Sequence, residues 1–486
     1  MTRAQKLLCV GLLSLLAHAP GISNPLTDYH HHRQVNTAAI ARNYHYDGLP
    51  FFHPRINWEG PSGARAATEL PMYMYIVGAA WDIFDLGEQW GRLVSIFFSL
   101  LTALLLFWFL ERWLSERAAF SGALLFSLLP VEVFFGRTVQ PEALALCATL
   151  GSFCCLDLYL SGKRRILSWL AAALLAAIAI GHKIPYGYML GVCGMMMLAR
   201  KGKKAFTDPA LWFFIPTALG GVAAWYMYAR SGTYVVPTQA GAFLALLDYS
   251  KAPYYIQFQF LSRLPELAVS WPGMGLWAVG LWNLQDQKKD TRLFLWGWLG
   301  CVAIYVTLGG AYTHHHDYTA LPWALVNAAI MGLGLDRALS WSAGLKGAKK
   351  TRARWALAAL VLAIPAYTFI RISHWYKTQD DWLPRAGEVV AQMSKPTDLF
   401  LCNERAPSFF LYYINRDGWS EAIFEMQYPT LEWVEKYIAQ GGRYYLTRAL
   451  GEFKNPNDPR VKPLLDRFPI VHKDPKFLIL DLQPKT

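Results

Sequence analysis

Apolar runs of about twenty residues recur from the start of this chain to roughly residue 370, and no other feature limits its fold so tightly. A helix rises about 1.5 Å per residue and satisfies its own backbone hydrogen bonds, so each such run can cross about 30 Å of hydrocarbon. A soluble domain carries about 25% charged residues; here the figure is 16%, against 54% hydrophobic, over 486 residues. An ordinary soluble enzyme and a disordered chain are thereby excluded. All seven cysteines except Cys402 fall in apolar runs, so neither a disulfide scaffold nor a zinc pattern can be built.

The runs are an N-terminal segment and then 90–110, 118–134, 141–160, 166–180, 186–198, 210–228, 272–284, 293–308, 318–335 and 355–370, about eleven in all. The N-terminal segment ends in Ala17-His18-Ala19, which looks like a signal-peptidase site. Pro20 directly after it disfavours cutting, so it reads as an uncleaved first span. Threading the spans alternately puts Arg3, Lys6, Lys163 to Arg165, Arg200 to Lys204, Lys288-Lys289 and Lys346 to Arg354 on one side. The positive-inside rule makes that side, and the N-terminus with it, cytoplasmic. Residues 375–486 carry 15 basic and 15 acidic residues, so the whole formal charge of +12 belongs to the membrane part. A basic excess confined to membrane loops sets orientation and gives no reason to expect a nucleic-acid partner.

Three pieces then face outward: residues 21–89, residues 230–271, which are rich in Tyr and Pro, and the tail from 375. Within the first, 70–84 is an aromatic amphipathic stretch suited to the membrane surface. In the tail, 398–402, 443–447 and 477–482 read as strands, and 384–393, 406–413 and 430–439 as helices. The expected fold is mainly α: a polytopic membrane domain (1–374) and a small extracytoplasmic α/β domain (375–486).

Chemistry-bearing residues collect in the outward pieces. The first loop opens Thr27-Asp28-Tyr29-His30-His31-His32-Arg33-Gln34, where a carboxylate beside imidazoles can take a proton and Arg33 can hold a phosphate. Three consecutive histidines also suggest a metal, but helical neighbours point about 100° apart, so at most two could share an ion. Asp47, Glu69 and the aromatics around them follow. Gly136-Arg137 leads to Pro141-Glu142, where Glu142 can equally be a plain helix cap, and Gly181-His182-Lys183 makes a very short connection. Lys183 there can snorkel to the interface or meet a lipid phosphate. Tyr312-Thr313-His314-His315-His316-Asp317-Tyr318 adds a second histidine triplet on the same side. Two such clusters on one face point to an outward polar cleft. A loose surface turn is expected at Arg416-Asp417-Gly418-Trp419, with Trp419 able to stack on a sugar.

The order and sidedness of Asp28, Glu69-Leu70-Pro71, Gly91-Arg92-Leu93 and Gly136-Arg137 to Pro141-Glu142 resemble the GT-C membrane glycosyltransferases. The chain is most similar to the bacterial group related to protein O-mannosyltransferases and to the aminoarabinose and lipopolysaccharide-core sugar transferases, from about Leu7 to Leu335. The resemblance implies transfer of a sugar, with inversion, from a polyprenyl-phosphate donor to a hydroxyl on a glycan, lipid or protein at the outer face of the inner membrane. It implies Asp28 as the catalytic base and Glu142 as the second catalytic acid. Many relatives carry an acidic pair where this chain has Asp28-Tyr29. Expected around the substrates are His31, His32, Arg33, Asp47, Glu69, Arg137, Lys183, His315, His316, Asp317 and Tyr318. No metal or other cofactor is expected. The rivals are a carrier of lipid-linked sugars, which would place its charges at mid-membrane, and an inactive assembly partner.

Overall fold

Helices coincide with every expected apolar run. A computed structural model describes residues 1–61, 64–66, 69–163, 165–231, 252–403, 408–420, 430–448, 451–459 and 461–483. Residues 232–251 of the Tyr- and Pro-rich piece 230–271 and the start of the expected helix 406–413 lie outside the described residues. In chain order come α1 (Arg3–His18), α2 (His31–Asp47), α3 (Met72–Phe84), α4 (Glu88–Leu110), α5 (Glu116–Phe126) and α6 (Pro130–Phe135). Next are α7 (Glu142–Leu160), α8 (Arg165–His182), α9 (Tyr188–Lys201), α10 (Pro209–Arg230) and α11 (Ala252–Phe258). Then follow α12 (Met274–Asn283), α13 (Lys289–Leu308), α14 (Gly310–His315), α15 (Leu321–Gly344) and α16 (Gly347–Ile372). The run 118–134 is split into α5 and α6 where Pro130 cannot continue the hydrogen-bond ladder.

Among the described residues six helical stretches are long and apolar enough to cross a membrane: Glu88–Leu110, Glu142–Leu160, Pro209–Ala229, Lys289–Leu308, Asp317–Gly344 and Gly347–Tyr376. The protein is a polytopic membrane protein. The apolar window of Asp317–Gly344 is wholly buried in the bundle, whereas Gly347–Tyr376 buries only 17% of its own, as suits a helix whose remaining faces meet lipid. The bundle packs closely through glycine: a Cβ on Gly280 of α12 would lie 1.9 Å from the Ile330 carbonyl of α15.

The tail holds α17 (Leu383–Met393), α18 (Phe409–Ile414), α19 (Leu431–Ile438) and five strands, numbered after a small hairpin in the first loop, β1 (Arg55–Ile56) and β2 (Ala64–Arg65). They are β3 (Leu399–Cys402), β4 (Gly418–Ser420), β5 (Gly442–Arg448), β6 (Ile470–Lys473) and β7 (Phe477–Asp481), in the order β4-β3-β5-β7-β6. β3 is parallel to β4 and β5, and β7 is antiparallel to β5 and β6. The three expected strands are present. Gly418 and Trp419 of the expected surface turn instead belong to a buried edge strand: Trp419 is 3% exposed and packs on Tyr437, so its ring is not open to a sugar.

The tail does not hang free. Val35, Ala38 and Ala39 of α2 share one apolar core with Phe400, Phe409 and Phe410. Arg55 pairs with Asp417 at 3.0 Å, and the Glu59 and Gly60 amides donate to the Gly418 carbonyl at 3.0 and 2.8 Å. Loop and tail are therefore one packed layer over one end of the helix bundle.

Candidate functional site

Asp28 sits at the centre of a fully buried polar knot. Its Oδ2 accepts from Arg137 Nη2 at 2.8 Å and from Arg92 Nη2 at 3.2 Å, and its Oδ1 from Gln34 Nε2 at 2.6 Å. All four side chains are 0% exposed. Further contacts brace the knot: Arg137 reaches the Gly21 carbonyl, Arg92 those of Asn24 and Pro25, and Gln34 Oε1 accepts from the Val139 amide. Gly136 lets this approach happen, since a Cβ there would fall 2.3 Å from His18 Nε2. A carboxylate with both oxygens engaged and no exposed surface is an anchor. Asp28 and Arg137, expected as catalytic base and substrate contact, hold each other and Arg92 in this knot. The knot ties the segment before α2 to the start of α4 and the end of α6.

Beside the knot lies a crevice lined by Glu142, Lys183, Tyr186, Tyr305, Tyr312 and Tyr318. Lys183 Nζ is 2.8 Å from Glu142 Oε1, at 3% and 1% exposure. Arg33 pairs with Glu69 alongside. Burial works against the Arg33 charge, but Glu69 and then Glu142 outweigh it and hold its guanidinium above the usual arginine range. Glu142 opens α7, where the helix dipole favours a carboxylate. The Leu70 amide donates to the Gly181 carbonyl, and His182 Nε2 accepts from the Tyr73 amide at 3.2 Å. These bonds bring Glu69 and Lys183, far apart in the chain, to one place.

His30 turns into the crevice because its backbone is left-handed, at φ 58°. Non-glycine residues rarely adopt that region, and strained positions of this kind gather at functional sites. Its ring lies 5.4 Å from Tyr318 and 6.0 Å from His316, and His316 stacks on Tyr318 at 5.1 Å. Burial lowers the His30 pKa to about 4 and the His316 pKa to about 3, the latter helped by His30, Lys183 and Arg33, so both rings are neutral at pH 7. Among the described residues, His30 Nε2, His316 Nδ1, Glu142 Oε2 and Glu69 Oε2 are buried without a hydrogen-bond partner, and the Lys183–Glu142 contact is too poorly aligned to count as one. Native proteins rarely leave buried polar atoms orphaned, and here several converge.

Residues 66–228, about a third of the chain, match the family model described as dolichyl-phosphate-mannose-protein mannosyltransferase. A comparison with curated proteins finds no match. Among solved structures, ArnT from Cupriavidus metallidurans bound to undecaprenyl phosphate superposes with a TM-score of 0.68 at 14% identity, covering 99% of this chain and 98% of that one. The oligosaccharyltransferase AglB from Archaeoglobus fulgidus, with an inhibitory peptide and a dolichol-phosphate, gives 0.64 at 11% identity, covering 93% and 69%. The arabinofuranosyltransferase AftD from Mycobacteria gives 0.58 at 13%, covering 100% and 40%. The chain has the GT-C fold.

On this GT-C scaffold the other expected residues fall in separate places. Asp317 accepts from the Tyr29 hydroxyl at 2.6 Å and pairs with Arg263, at the rim of the crevice. His315 is exposed beside His314, outside it. His31 and His32 face the tail, with rings 4.7 and 5.4 Å from Phe409. Asp47 lies at the far end of α2, roughly 24 Å from its start at 1.5 Å per residue, and pairs with Arg55 at 2.9 Å. It braces Arg55, which in turn pairs with Asp417 of the tail, and it does not line the crevice. His30, Gln34, Arg92, Arg263 and the tyrosines other than Tyr318 were not singled out as site residues in the sequence. Arg92 carried a signal in Gly91-Arg92-Leu93, but nothing local distinguishes His30 from its two histidine neighbours. Among the described residues no three His, Cys, Asp or Glu side chains converge to hold a metal ion.

Proposed function

We propose that this chain moves a sugar from a polyprenyl-phosphate donor to a hydroxyl acceptor (on a glycan, lipid or protein) at the outer face of the inner membrane, with inversion. The observation that carries the reading is the pairing of Lys183 with Glu142 and of Arg33 with Glu69 in one buried, tyrosine-lined crevice whose neighbouring polar atoms lack partners. Two cations and two carboxylates sum to zero, so the empty crevice is electrically balanced. A lipid phosphate arriving there competes for Lys183 and Arg33, and bidentate capture by Arg suits a phosphate. That exchange strips Glu142 of its counter-ion and makes it a better proton acceptor. The acceptor oxygen then bonds to the anomeric carbon, the bond from that carbon to the phosphate oxygen breaks, and the polyprenyl phosphate leaves with the electron pair. The acceptor's proton passes to Glu142. Neutral His30 and His316 can donate to, or accept from, the sugar and the leaving phosphate without adding charge. Asp28 acts as a positioning residue that keeps Arg33 and His30 in place. The solved structures of similar fold that hold undecaprenyl phosphate and dolichol-phosphate support a lipid-phosphate donor.

In this orientation the N-terminus is cytoplasmic and the tail domain extracytoplasmic. The test uses full-length protein reconstituted with a labelled polyprenyl-phosphate sugar and a panel of hydroxyl acceptors. Removing a general base costs about 10²–10⁴ in rate, so Glu142→Gln should lose at least 10²-fold in kcat while still retaining donor. Wild-type turnover by that variant would remove Glu142 from the role. Donor moved across the membrane without product would favour a carrier.

A further inference from the structure

At the opposite end of the bundle a groove of about 410 Å³ runs between α12 and α15. Its walls are Val279, Trp282, Asp286, Arg337 and Trp341. The two tryptophans are 76% and 61% exposed, and Trp355 on the next helix is 72% exposed. Large exposed indoles at helix ends suit the membrane–water boundary, where the ring is half apolar and its N–H is wet. Arg337 approaches Asp286 only at 3.8 Å, with both side chains more than half exposed, a contact too loose and solvated to consume the guanidinium charge.

Directly after Trp341 the chain turns into Lys346, Lys349, Lys350, Arg352 and Arg354, and no Asp or Glu occurs between Asp336 and Asp380. None of these five makes an ion pair among the described residues, and all but Lys350 are exposed, at and just before the start of α16. An apolar groove with indole walls thus opens beside uncompensated positive charge. Neither element alone makes a site, but together they match an amphiphile with an anionic head and hydrocarbon chains.

We infer that this groove holds an anionic phospholipid of the cytoplasmic leaflet, its chains against Val279, Trp282 and Trp341 and its head group on Arg337 and the 346–354 run. The proposal is independent of the sugar-transfer reading, since no residue of the crevice takes part. Basic clusters next to a membrane helix gain roughly fivefold in affinity per charge near an anionic surface, and lose it with salt.

The experiment is native mass spectrometry of the full chain in detergent, titrated with phosphatidylglycerol or phosphatidylcholine. Wild type should retain phosphatidylglycerol at least tenfold more tightly at low salt, and the preference should shrink as salt rises. Lys349→Gln/Lys350→Gln/Arg352→Gln/Arg354→Gln should abolish the preference at unchanged thermal unfolding. Trp282→Ala/Trp341→Ala should weaken retention of both lipids. Equal affinity of wild type for the two lipids, or a preference indifferent to salt, would overturn the proposal, and these measurements stand even where a variant fails to fold. Unchanged lipid retention in the folded tryptophan variant would overturn the groove as the place of the chains.

Discussion

Replacing Asp28 by Asn separates an anchor from a base. The substitution keeps the shape and removes the one negative charge from a knot that holds Arg92 and Arg137 at zero exposure. The local charge rises from +1 to +2. Breaking a buried ion pair by removing one partner costs about 3–5 kcal/mol, because the remaining charge stays buried and uncompensated. For a chain of this size that corresponds to a loss of several degrees in apparent Tm. Asp28→Asn/Arg137→Gln returns the local charge to +1, so it should regain a measurable part of the lost stability. The assay is thermal unfolding in detergent, followed by intrinsic fluorescence, alongside transfer by the same preparations. If Asp28→Asn keeps the wild-type Tm but loses 10²–10⁴ in rate, the anchor is refuted and Asp28 is the proton acceptor after all.

Lys183→Ala should chiefly weaken donor use, raising the donor KM at least tenfold, and a KM unchanged in initial-rate measurements would remove Lys183 from the phosphate site. His30 and His316 bind protons less readily folded (about 4 and about 3) than unfolded (6.5), so stability is fully present above about pH 6.5. It should fall as pH drops towards 4, by on the order of 1 kcal/mol per pH unit for each ring, as the unfolded chain takes up protons the folded one refuses. His30→Gln/His316→Gln should flatten that acid limb in unfolding midpoints measured from pH 7 to 4. Gly136→Ala drives a methyl to within 2.3 Å of His18 Nε2 and 2.6 Å of Ser99 Oγ, and should cost about 1–3 kcal/mol, readable as a lowered Tm.

What the sequence determined by itself is what short-range physics dictates. Hydrocarbon thickness and backbone hydrogen bonding turn each apolar run into a helix, and alternation of strand and helix patterns marks the tail, so the fold class was legible without coordinates. Besides the two-residue strands of the first-loop hairpin, two strands of the tail escaped. Gly418–Ser420 is three residues long and follows a turn-like Arg-Asp, and Ile470–Lys473 is an edge strand with three exposed residues and no clear alternation. The segments bearing the site were also legible, because ionisable residues beside apolar runs stand out. Which atoms meet was decided only by tertiary packing. Asp28 and Arg137 are 109 residues apart and Arg33 and Glu69 are 36 apart, and no local pattern says which carboxylate each guanidinium will find. The Leu70–Gly181 contact, the left-handed turn at His30 and the helix ends around Gly136 make those choices. They buried Asp28 between Arg92 and Arg137 and left Glu142, Lys183, His30 and His316 facing one another, because burial and long-range ion pairing depend on how helix ends pack.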